Sequence, residues 1–309
     1  MITCAISGAI ANRDQCPAIP YTPAEYAVEA RRIVDEGAVM IHIHARRPDG
    51  APSHEVEDFA AIREAVRGAV GDAAIINFST GTVGVPVAKR IAYLEACRPA
   101  VAALNMGSLN YAKYSVARRE FVFKFVFANP FDEIIELLDA MARLQIKPEH
   151  ECFDLGHVGS LAPLLDMGLV AAPLHADFVM GVLGGVPATA RNLAAMAANL
   201  FEIALSEPAV RSAQGRNAPG RHHWGVIGVG REQWTMVAAA LALGGSIRVG
   251  LEDNFYLPDG RMARSNGELV AKARQMTQDA GRRVATVEQA RALLGIDAGA
   301  GVSDRRENR

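Results

Sequence analysis

The sequence lacks the marks of several classes of protein. No apolar run approaches the roughly 20 residues that a membrane-spanning helix needs. No basic run is long enough to indicate nucleic acid or an anionic membrane as a partner, and the formal net charge is only −2 over 309 residues. The N-terminal stretch Met1–Ile6 has no positive charge ahead of an apolar run. We therefore expect no signal peptide and a cytoplasmic location.

Cysteine motifs and nucleotide-binding motifs are also missing. The four cysteines, Cys4, Cys16, Cys97 and Cys152, show no C-x-x-C spacing, which favours reduced thiols. No predicted strand is followed by G-x-G-x-x-G, and there is no Walker lysine motif. These absences argue against an open, doubly wound sheet, which is the architecture that competes with a closed barrel.

The chain instead alternates apolar strands with helices, eight times over. The predicted strands are Thr3–Ser7, Ala38–Arg46, Ala74–Phe78, Val101–Leu104, Glu149–Phe153, Phe178–Val182, Trp224–Gly228 and Ser246–Val249. Eight such units with no break in composition predict an α/β fold, a (β/α)8 TIM barrel over residues 1–296, with a C-terminal tail over 297–309. The segment Phe121–Ala128 is predicted as a strand outside the repeat, and Ser206–Arg221 as a surface loop.

The helices are predicted from capping residues and apolar periodicity. Thr22 before Pro23, with Glu25 in the position of a capping box, predicts a helix that ends near Glu36. The other predicted helices are about Val56–Val70, Val85–Glu95, Phe131–Leu144, Leu161–Met167, Ala188–Leu200, Gln233–Leu243, Gly267–Ala280 and Val287–Leu294.

Two histidines, His42 and His44, stand two residues apart in the second predicted strand. Residues i and i+2 of a strand project from one face, so both imidazoles point to one place. Two neutral imidazoles beside a carboxylate suit a divalent metal, most often zinc. Since an isolated H-x-H in a strand is more often structural, the metal interpretation depends on partners elsewhere in the chain.

Polar residues collect at the carboxyl ends of the predicted strands, the face that carries the active site in parallel barrels. They are His42, His44, Ser79, Thr80, Asn105, Ser108, Glu149, Glu151, Arg248, Glu252 and Asp253. Each has a structural alternative, because hydroxyls cap helices, Glu149 can be a solvated strand end, and Arg248 can pair with any carboxylate. Together they predict one polar site at the barrel mouth.

The eighth unit offers a third metal ligand and a base. If the strand stays extended, Arg248 and Glu252 share a face, so Glu252 can supply the ligand. Asp253 reaches the site only if the backbone turns after Leu251. Beside Arg248 its carboxylate can be held ionised and act as a general base.

Two other kinds of function fit part of this pattern. Amidohydrolases also place H-x-H and a late Asp on a barrel, with further histidine ligands on the fifth and sixth strands. Here His175 precedes its predicted strand and so lies toward the opposite face, whereas His157 follows the fifth strand and stays a candidate. Such a metal-dependent hydrolase would hold two metal ions. A non-catalytic barrel protein would hold none and would show no turnover that depends on Asp253.

At these residues the chain resembles the β-keto acid cleavage enzymes, from Ile2 to about Leu294. The segments that carry the resemblance are Ile2–Ala9, Tyr21–Pro23, Ile41–Arg46, Ser79–Gly81, Leu104–Ser108, Pro148–Glu149, Gly228–Arg231 and Arg248–Asn254. The resemblance implies a zinc-bearing (β/α)8 barrel that condenses a β-keto acid with acetyl-CoA and yields acetoacetate and a new CoA thioester. It also implies a homotetramer.

The resemblance assigns roles to individual residues. It implies that His42, His44 and Glu252 bind zinc, and that Asp253 is the base, oriented by Arg248. Ser79 and Ser108 would hold the keto-acid end of the substrate, Ser108 standing where a family member has Thr, and Glu151 would lie near the distal end. Thr80 and Asn105 complete the predicted substrate site. Basic residues of the 211–221 stretch can meet CoA phosphates, although solvated surface charge is the simpler interpretation.

One departure from the family concerns the substrate. Where the enzyme that acts on an aminated keto acid has a Glu after the first Gly-Ala, to meet the substrate ammonium, this chain has Ile10. An apolar side chain cannot neutralise an amine, and an unpaired buried charge is unfavourable. We therefore expect a less cationic β-keto acid, although Asp14 nearby can compensate.

Overall fold

The computed structural model describes residues 1–206 and 222–296 of the chain. Its strands are β1 (Ile2–Ala5), β2 (Met40–Ile43), β3 (Ile75–Ser79), β4 (Val101–Asn105), β5 (Leu109–Ser115), β6 (Glu120–Phe127), β7 (Lys147–Cys152), β8 (His175–Met180), β9 (His223–Gly228) and β10 (Ser246–Val249). Eight of them are parallel and close into a barrel in the order β1-β2-β3-β4-β7-β8-β9-β10. The predicted TIM barrel is confirmed, and the open sheet is ruled out.

The helices connect the strands and cover the outside of the barrel. They are α1 (Pro23–Asp35), α2 (Val56–Val70), α3 (Val87–Cys97), α4 (Phe131–Arg143), α5 (Leu155–Gly159), α6 (Leu161–Asp166), α7 (Ala190–Ser206), α8 (Gln233–Leu243), α9 (Asn266–Asp279) and α10 (Val287–Leu294). The start of α1 has the predicted capping box, in which the Thr22 hydroxyl accepts from the Glu25 N–H and the Glu25 carboxylate accepts from the Thr22 N–H.

Two barrel strands begin two or three residues earlier than the sequence predicts. β7 begins at Lys147 rather than Glu149, and β8 begins at His175 rather than Phe178. Polar side chains of these strands point into the barrel, where they interrupt the apolar pattern on which the prediction depends. His175 is therefore a strand residue inside the barrel and does not precede its strand.

The predicted extra strand, Phe121–Ala128, is one arm of an antiparallel hairpin formed by β5 and β6. At its base Leu109 and Phe127 are buried in an apolar cluster with Phe153 of the β7–α5 turn. Along it the Tyr111 ring stacks on Phe125 at a centroid separation of 5.3 Å. The hairpin is thus an excursion after β4, at the carboxyl ends of the barrel strands.

Several predictions concern single residues or segments. All four cysteines are free and buried, so the absence of disulfides is confirmed for them.

In the part of the chain that the structure describes, no helix combines the length and apolar character needed to cross a bilayer. Of the predicted loop Ser206–Arg221, Ser206 ends α7. The rest of it, including the basic residues considered for CoA, and the tail 297–309 lie outside the described residues.

Candidate metal centre and active site

Three predicted ligands meet at the carboxyl end of the barrel. His42 lies in β2, His44 follows it, and Glu252 follows β10. Glu252 Oε1 lies 3.6 Å from His42 Nε2 and 3.5 Å from His44 Nε2. Ligand atoms held about 2.1 Å from a tetrahedral zinc ion are about 3.4 Å apart. The spacing of these atoms therefore fits a zinc-like ion.

The protonation states of His42 and Glu252 also fit a metal. Burial, with Arg248 as a second cause, keeps the pKa of His42 well below its usual range, so its imidazole is neutral and has a free lone pair. Burial opposes ionisation of Glu252, but Arg248 and the two histidines together hold the pKa of that carboxyl well below its usual value. Among the described residues, both ring nitrogens of His42 and Oε2 of Glu252 are buried without a hydrogen-bond partner. Unpaired buried polar atoms of this kind are what a bound cation would satisfy.

A backbone turn brings Glu252 and Asp253 to the site. β10 ends at Val249, and the chain turns at Gly250. Only glycine fits this position, because its φ is +141° and a Cβ atom built on it would lie only 2.1 Å from Ala5 O. The Asp253 N–H then donates to Gly250 O at 3.1 Å. From the sequence we expect Asp253 to reach the site only if the backbone turns after Leu251, but in the structure the turn begins at Gly250, one residue before Leu251. The strand therefore does not stay extended to Glu252, yet that residue still reaches the histidines.

Arg248 is the centre of the acidic cluster. Its Nε and Nη2 donate to the two oxygens of Asp253 at 3.0 and 2.9 Å, and Nη1 donates to Glu151 Oε1 at 2.8 Å. From the sequence we expect Arg248 to keep Asp253 ionised. Burial has the larger effect, however, and raises the pKa of Asp253 to about 7 despite the guanidinium. Asp253 therefore changes its protonation state near neutral pH.

The predicted substrate residues divide into two groups. Ser79, Asn105 and Glu151 are buried at the ends of β3, β4 and β7, and Ser79 Oγ accepts from the Gly81 N–H. Thr80 donates its hydroxyl proton to Ala103 O at 2.6 Å, and exposed Ser108 accepts from the Asn129 N–H at 2.7 Å. The hydroxyls of Thr80 and Ser108 are thus engaged with backbone groups.

Two polar residues inside the barrel, His175 and Asp177, were not among the site residues predicted from the sequence. Glu149, His175 and Asp177 form a second buried group, so a solvated position for Glu149 is wrong. His175 and Asp177 stand two residues apart, as His42 and His44 do. This spacing would have identified them as neighbours on one strand face if the sequence had predicted β8 to begin at His175. His157 instead lies in α5, where its Nδ1 accepts from the Phe153 N–H.

Two further residues support the loops around the site. The Arg46 guanidinium donates to four backbone carbonyl oxygens, those of Ser7, Gly8, Ala11 and Gly50. The Asn266 side chain accepts from the Leu251 N–H and donates to Ile6 O and to Glu29. Each side chain links segments that are far apart in the sequence, and no local sequence pattern predicts such links.

Comparison with known proteins gives one consistent result. The family described as beta-keto acid cleavage enzyme matches residues 1–296. The 3-keto-5-aminohexanoate cleavage enzyme of Acetoanaerobium sticklandii is 34% identical, over 96% of this chain and 98% of that protein. The 3-oxoadipate:acetyl-CoA acetyltransferase of Cupriavidus necator is 33% identical, over 96% and 94%. The apo structure of ObcA is similar in fold, with a TM-score of 0.70 and 22% identity, over 93% of this chain and 66% of that chain.

Proposed function

The chain belongs to the beta-keto acid cleavage enzyme family, and from this premise we propose that it is a zinc-dependent acyltransferase that uses acetyl-CoA. Its substrate would be a β-keto acid, and its products acetoacetate and a new CoA thioester. The observation that carries the proposal is the convergence of His42, His44 and Glu252 beside an Asp253 carboxyl that Arg248 binds through two hydrogen bonds.

The names of the relatives support acetyl-CoA as the second substrate. One relative from Paraburkholderia graminis, 32% identical, is a 3,5-dioxohexanoate:acetyl-CoA acetone transferase, and the Cupriavidus necator relative acts on 3-oxoadipate with acetyl-CoA. Both names describe a β-keto acid and acetyl-CoA reacting together, with different groups beyond the keto carbon. We therefore transfer the reaction type to this chain and treat the substrate group separately.

The proposed reaction exchanges two acyl groups. A β-keto acid, R–CO–CH2–COO⁻, loses a proton from its CH2 carbon to the Asp253 carboxylate. That carbon bonds to the acetyl carbon of acetyl-CoA and displaces the CoA thiolate. The thiolate then attacks the original keto carbon, the bond from that carbon to the CH2 carbon breaks, and Asp253 returns the proton. The products are R–CO–SCoA and acetoacetate, so the reaction balances without an oxidant or a reductant.

The residues of the site suit these steps. A base with a pKa of about 7 is partly ionised at neutral pH, so it can both accept a proton and hold it. Arg248 aims that carboxylate, since its planar guanidinium contacts both oxygens. Ser79 is a buried hydroxyl that can orient the acid end of the substrate. Zinc held by His42, His44 and Glu252 would supply Lewis acidity toward the keto oxygen.

We further propose that the substrate group R is not cationic. Ile10 stands where an acidic residue would meet an ammonium, and its side chain is 61% exposed at the edge of the first loop. An amine bound there would find no carboxylate at this position, although it would remain partly hydrated. The expected result is a higher kcat/KM for an uncharged 3-ketoacid than for 3-keto-5-aminohexanoate. A preference for the amine would contradict the proposal.

One experiment tests the reaction and its main alternative together. β-Keto acids are screened with and without acetyl-CoA, and CoA thioester formation is followed in wild type, Asp253→Asn and His42→Ala. Thioester should form only with acetyl-CoA, and Asp253→Asn should lower kcat by about 10²–10⁴-fold. Turnover that does not require acetyl-CoA would favour the amidohydrolase-type hydrolase. A chain without metal and without turnover would favour a non-catalytic barrel.

Two proposals concern the protein as a whole. By resemblance to its family it would be a homotetramer, which light scattering tests by a mass four times that of the 33.0 kDa chain. A cytoplasmic location stays a prediction of the sequence, and fractionation of cells that express the protein would check it.

A further inference from the structure

A second group of potential metal ligands lies inside the barrel, next to His42 of the site at its mouth. Glu149 comes from β7, and His175 and Asp177 come from β8; their relative exposures are 0%, 0% and 3%. One ligand atom from each lies within 4.8 Å of the other two. The parallel register of β7 with β8 pairs His150 with Ala176, so Glu149 and His175, one residue earlier in each strand, lie side by side in the barrel interior.

The distances within this group are those of a coordination shell. His175 Nε2 lies 3.4 Å from Asp177 Oδ2 and 3.7 Å from Glu149 Oε1. These separations are long for hydrogen bonds and close to the 3.5 and 3.6 Å that separate the ligand atoms at the mouth. They also lie near the roughly 3.4 Å expected between ligands of a tetrahedral zinc ion.

The group contains buried polar atoms that the protein leaves unpaired. Among residues 1–206 and 222–296, both ring nitrogens of His175, Oε1 of Glu149 and Nε2 of His223 have no hydrogen-bond partner. Each belongs to a side chain that is at least nine-tenths buried. Because an unsatisfied buried polar atom destabilises the folded state, several at one point indicate a missing ligand.

A glycine makes room for one of the carboxylates. Gly225 of β9 lies opposite Asp177 in the strand register, and a Cβ built on it would lie 2.2 Å from Asp177 Oδ1. Any other residue at 225 would displace that oxygen. The Asp177 carboxylate is thus packed against bare backbone, which holds it in place.

The charged groups of the barrel interior also favour a bound cation. Among the described residues, the Arg248 guanidinium forms ion pairs with Glu151, Glu252 and Asp253. The carboxyl groups of Glu149 and Asp177 lie instead beside the His175 imidazole. A divalent cation beside Glu149 and Asp177 would stabilise their ionised forms, because unbalanced buried charge is strongly unfavourable.

We propose that Glu149, His175 and Asp177 bind a second divalent cation of the zinc class, with His223 as a further donor. The His223 and His175 rings are 5.4 Å apart between centroids. One imidazole with two carboxylates suits zinc or manganese. The ion ties β7 to β8, and through His223 to β9, in the barrel interior.

The second ion would be structural and would not form a binuclear catalytic centre. His42 faces the mouth site with Nε2, 3.6 Å from Glu252, and faces Glu149 with Nδ1 at 3.8 Å. The two ions would therefore lie on opposite sides of this imidazole ring. Glu149 Oε2, which also accepts from Asn77 Nδ2 at 2.6 Å, would link the inner ion to the orientation of His42.

Metal counting tests this proposal separately from the proposed function. Protein is produced in zinc-supplemented medium, purified without chelators, and analysed for zinc per chain by mass spectrometry. Wild type should hold two equivalents, and His42→Ala, His175→Gln and Asp177→Asn one each. His150→Gln is the matched control. It removes a buried β7 histidine that lies between Glu149 and Glu151 in the sequence and so projects from the opposite face of the strand. This variant should hold two equivalents of zinc.

The other possible results distinguish the two sites. If wild type holds one equivalent of zinc, which His42→Ala loses and His175→Gln keeps, the inner site is overturned and the mouth site is supported. If wild type holds one equivalent of zinc, which His175→Gln loses and His42→Ala keeps, the inner site is supported and the mouth site is overturned. Two equivalents that persist in both His175→Gln and Asp177→Asn would place the second ion elsewhere. Asp177→Asn is nearly isosteric, so it provides the answer if His175→Gln fails to fold.

Discussion

Arg248 binds both carboxylate oxygens of Asp253, at 3.0 and 2.9 Å, while its Nη2 also donates to Glu252 Oε1 at 2.6 Å. Adjacent residues of an extended strand point to opposite faces, so Glu252 and Asp253 could not both reach one guanidinium from such a strand. The turn at Gly250 allows it. A single side chain therefore sets the relation between the proposed base and a proposed metal ligand.

Replacing Arg248 by Lys should lower kcat by at least about 10²-fold. Lysine keeps the positive charge but cannot bind two carboxylate oxygens with one planar group, so Asp253 would lose its orientation. Steady-state kinetics measure the change, and circular dichroism checks the fold. Arg264→Lys is the control, because Arg264 is an arginine that donates two hydrogen bonds to one carboxylate oxygen of Glu268 on the surface. Equal activity of Arg248→Lys and wild type would refute the orienting role.

Replacing Gly8 by Ala should weaken metal binding about 10–100-fold. Gly8 has a φ of +60°, and a Cβ there would lie 2.7 Å from Glu252 Cγ, so the new methyl group would push the carboxylate away from the histidines. Gly84→Ala is a matched control with a φ of +72° and no heavy atom of the described residues within 4 Å of the added Cβ. Competition with a zinc-binding dye measures both. Equal affinities would mean that the Glu252 position does not depend on Gly8.

Glu25 should stabilise the fold in a pH-dependent manner. Partial burial opposes its ionisation, but N–H donors of Thr22 and Tyr21 and the Arg13 side chain lower its pKa from 4.5 to about 2. Because the pKa is lower in the folded state, the stabilisation is full above about pH 4.5 and is lost as the pH falls toward 2. Glu25→Gln should lower the free energy of unfolding by about 1 kcal/mol at pH 7. Urea titrations should show this difference shrinking below pH 4.5; a constant difference would contradict the assignment.

Replacing Asn266 by Ala should lower the free energy of unfolding by about 2–4 kcal/mol. The change leaves the buried Leu251 N–H and Ile6 carbonyl without their partner, and each such loss is unfavourable by about 1–3 kcal/mol. Denaturant unfolding measures it. Asn192→Ala, which removes a bond to Pro187 O near the surface, should have an effect below about 1 kcal/mol. Similar losses in the two variants would show that burial does not set the effect.

Local signals in the sequence predict much of the fold. The bounds of α2, α8, α10 and β10 agree with the structure, because apolar periodicity and short-range turn chemistry determine them. β5, over Leu109–Ser115, was missed because all its residues but Leu109 are exposed or half-buried. It pairs with β6 and, at Ala112, with Leu183, outside the barrel sheet. A strand without a buried face carries no clear period-two pattern.

The sequence by itself determined the eight strand–helix units, the H-x-H pair and the acidic segment after the last strand, since these depend on residue types at short spacing. Only the tertiary structure decided that Arg248 holds Asp253 and Glu252 together, and that Glu149 meets His175 and Asp177 inside the barrel. Barrel closure brings side chains from distant parts of the chain into contact. Burial there then alters their charges, and neither effect can be read from neighbouring residues.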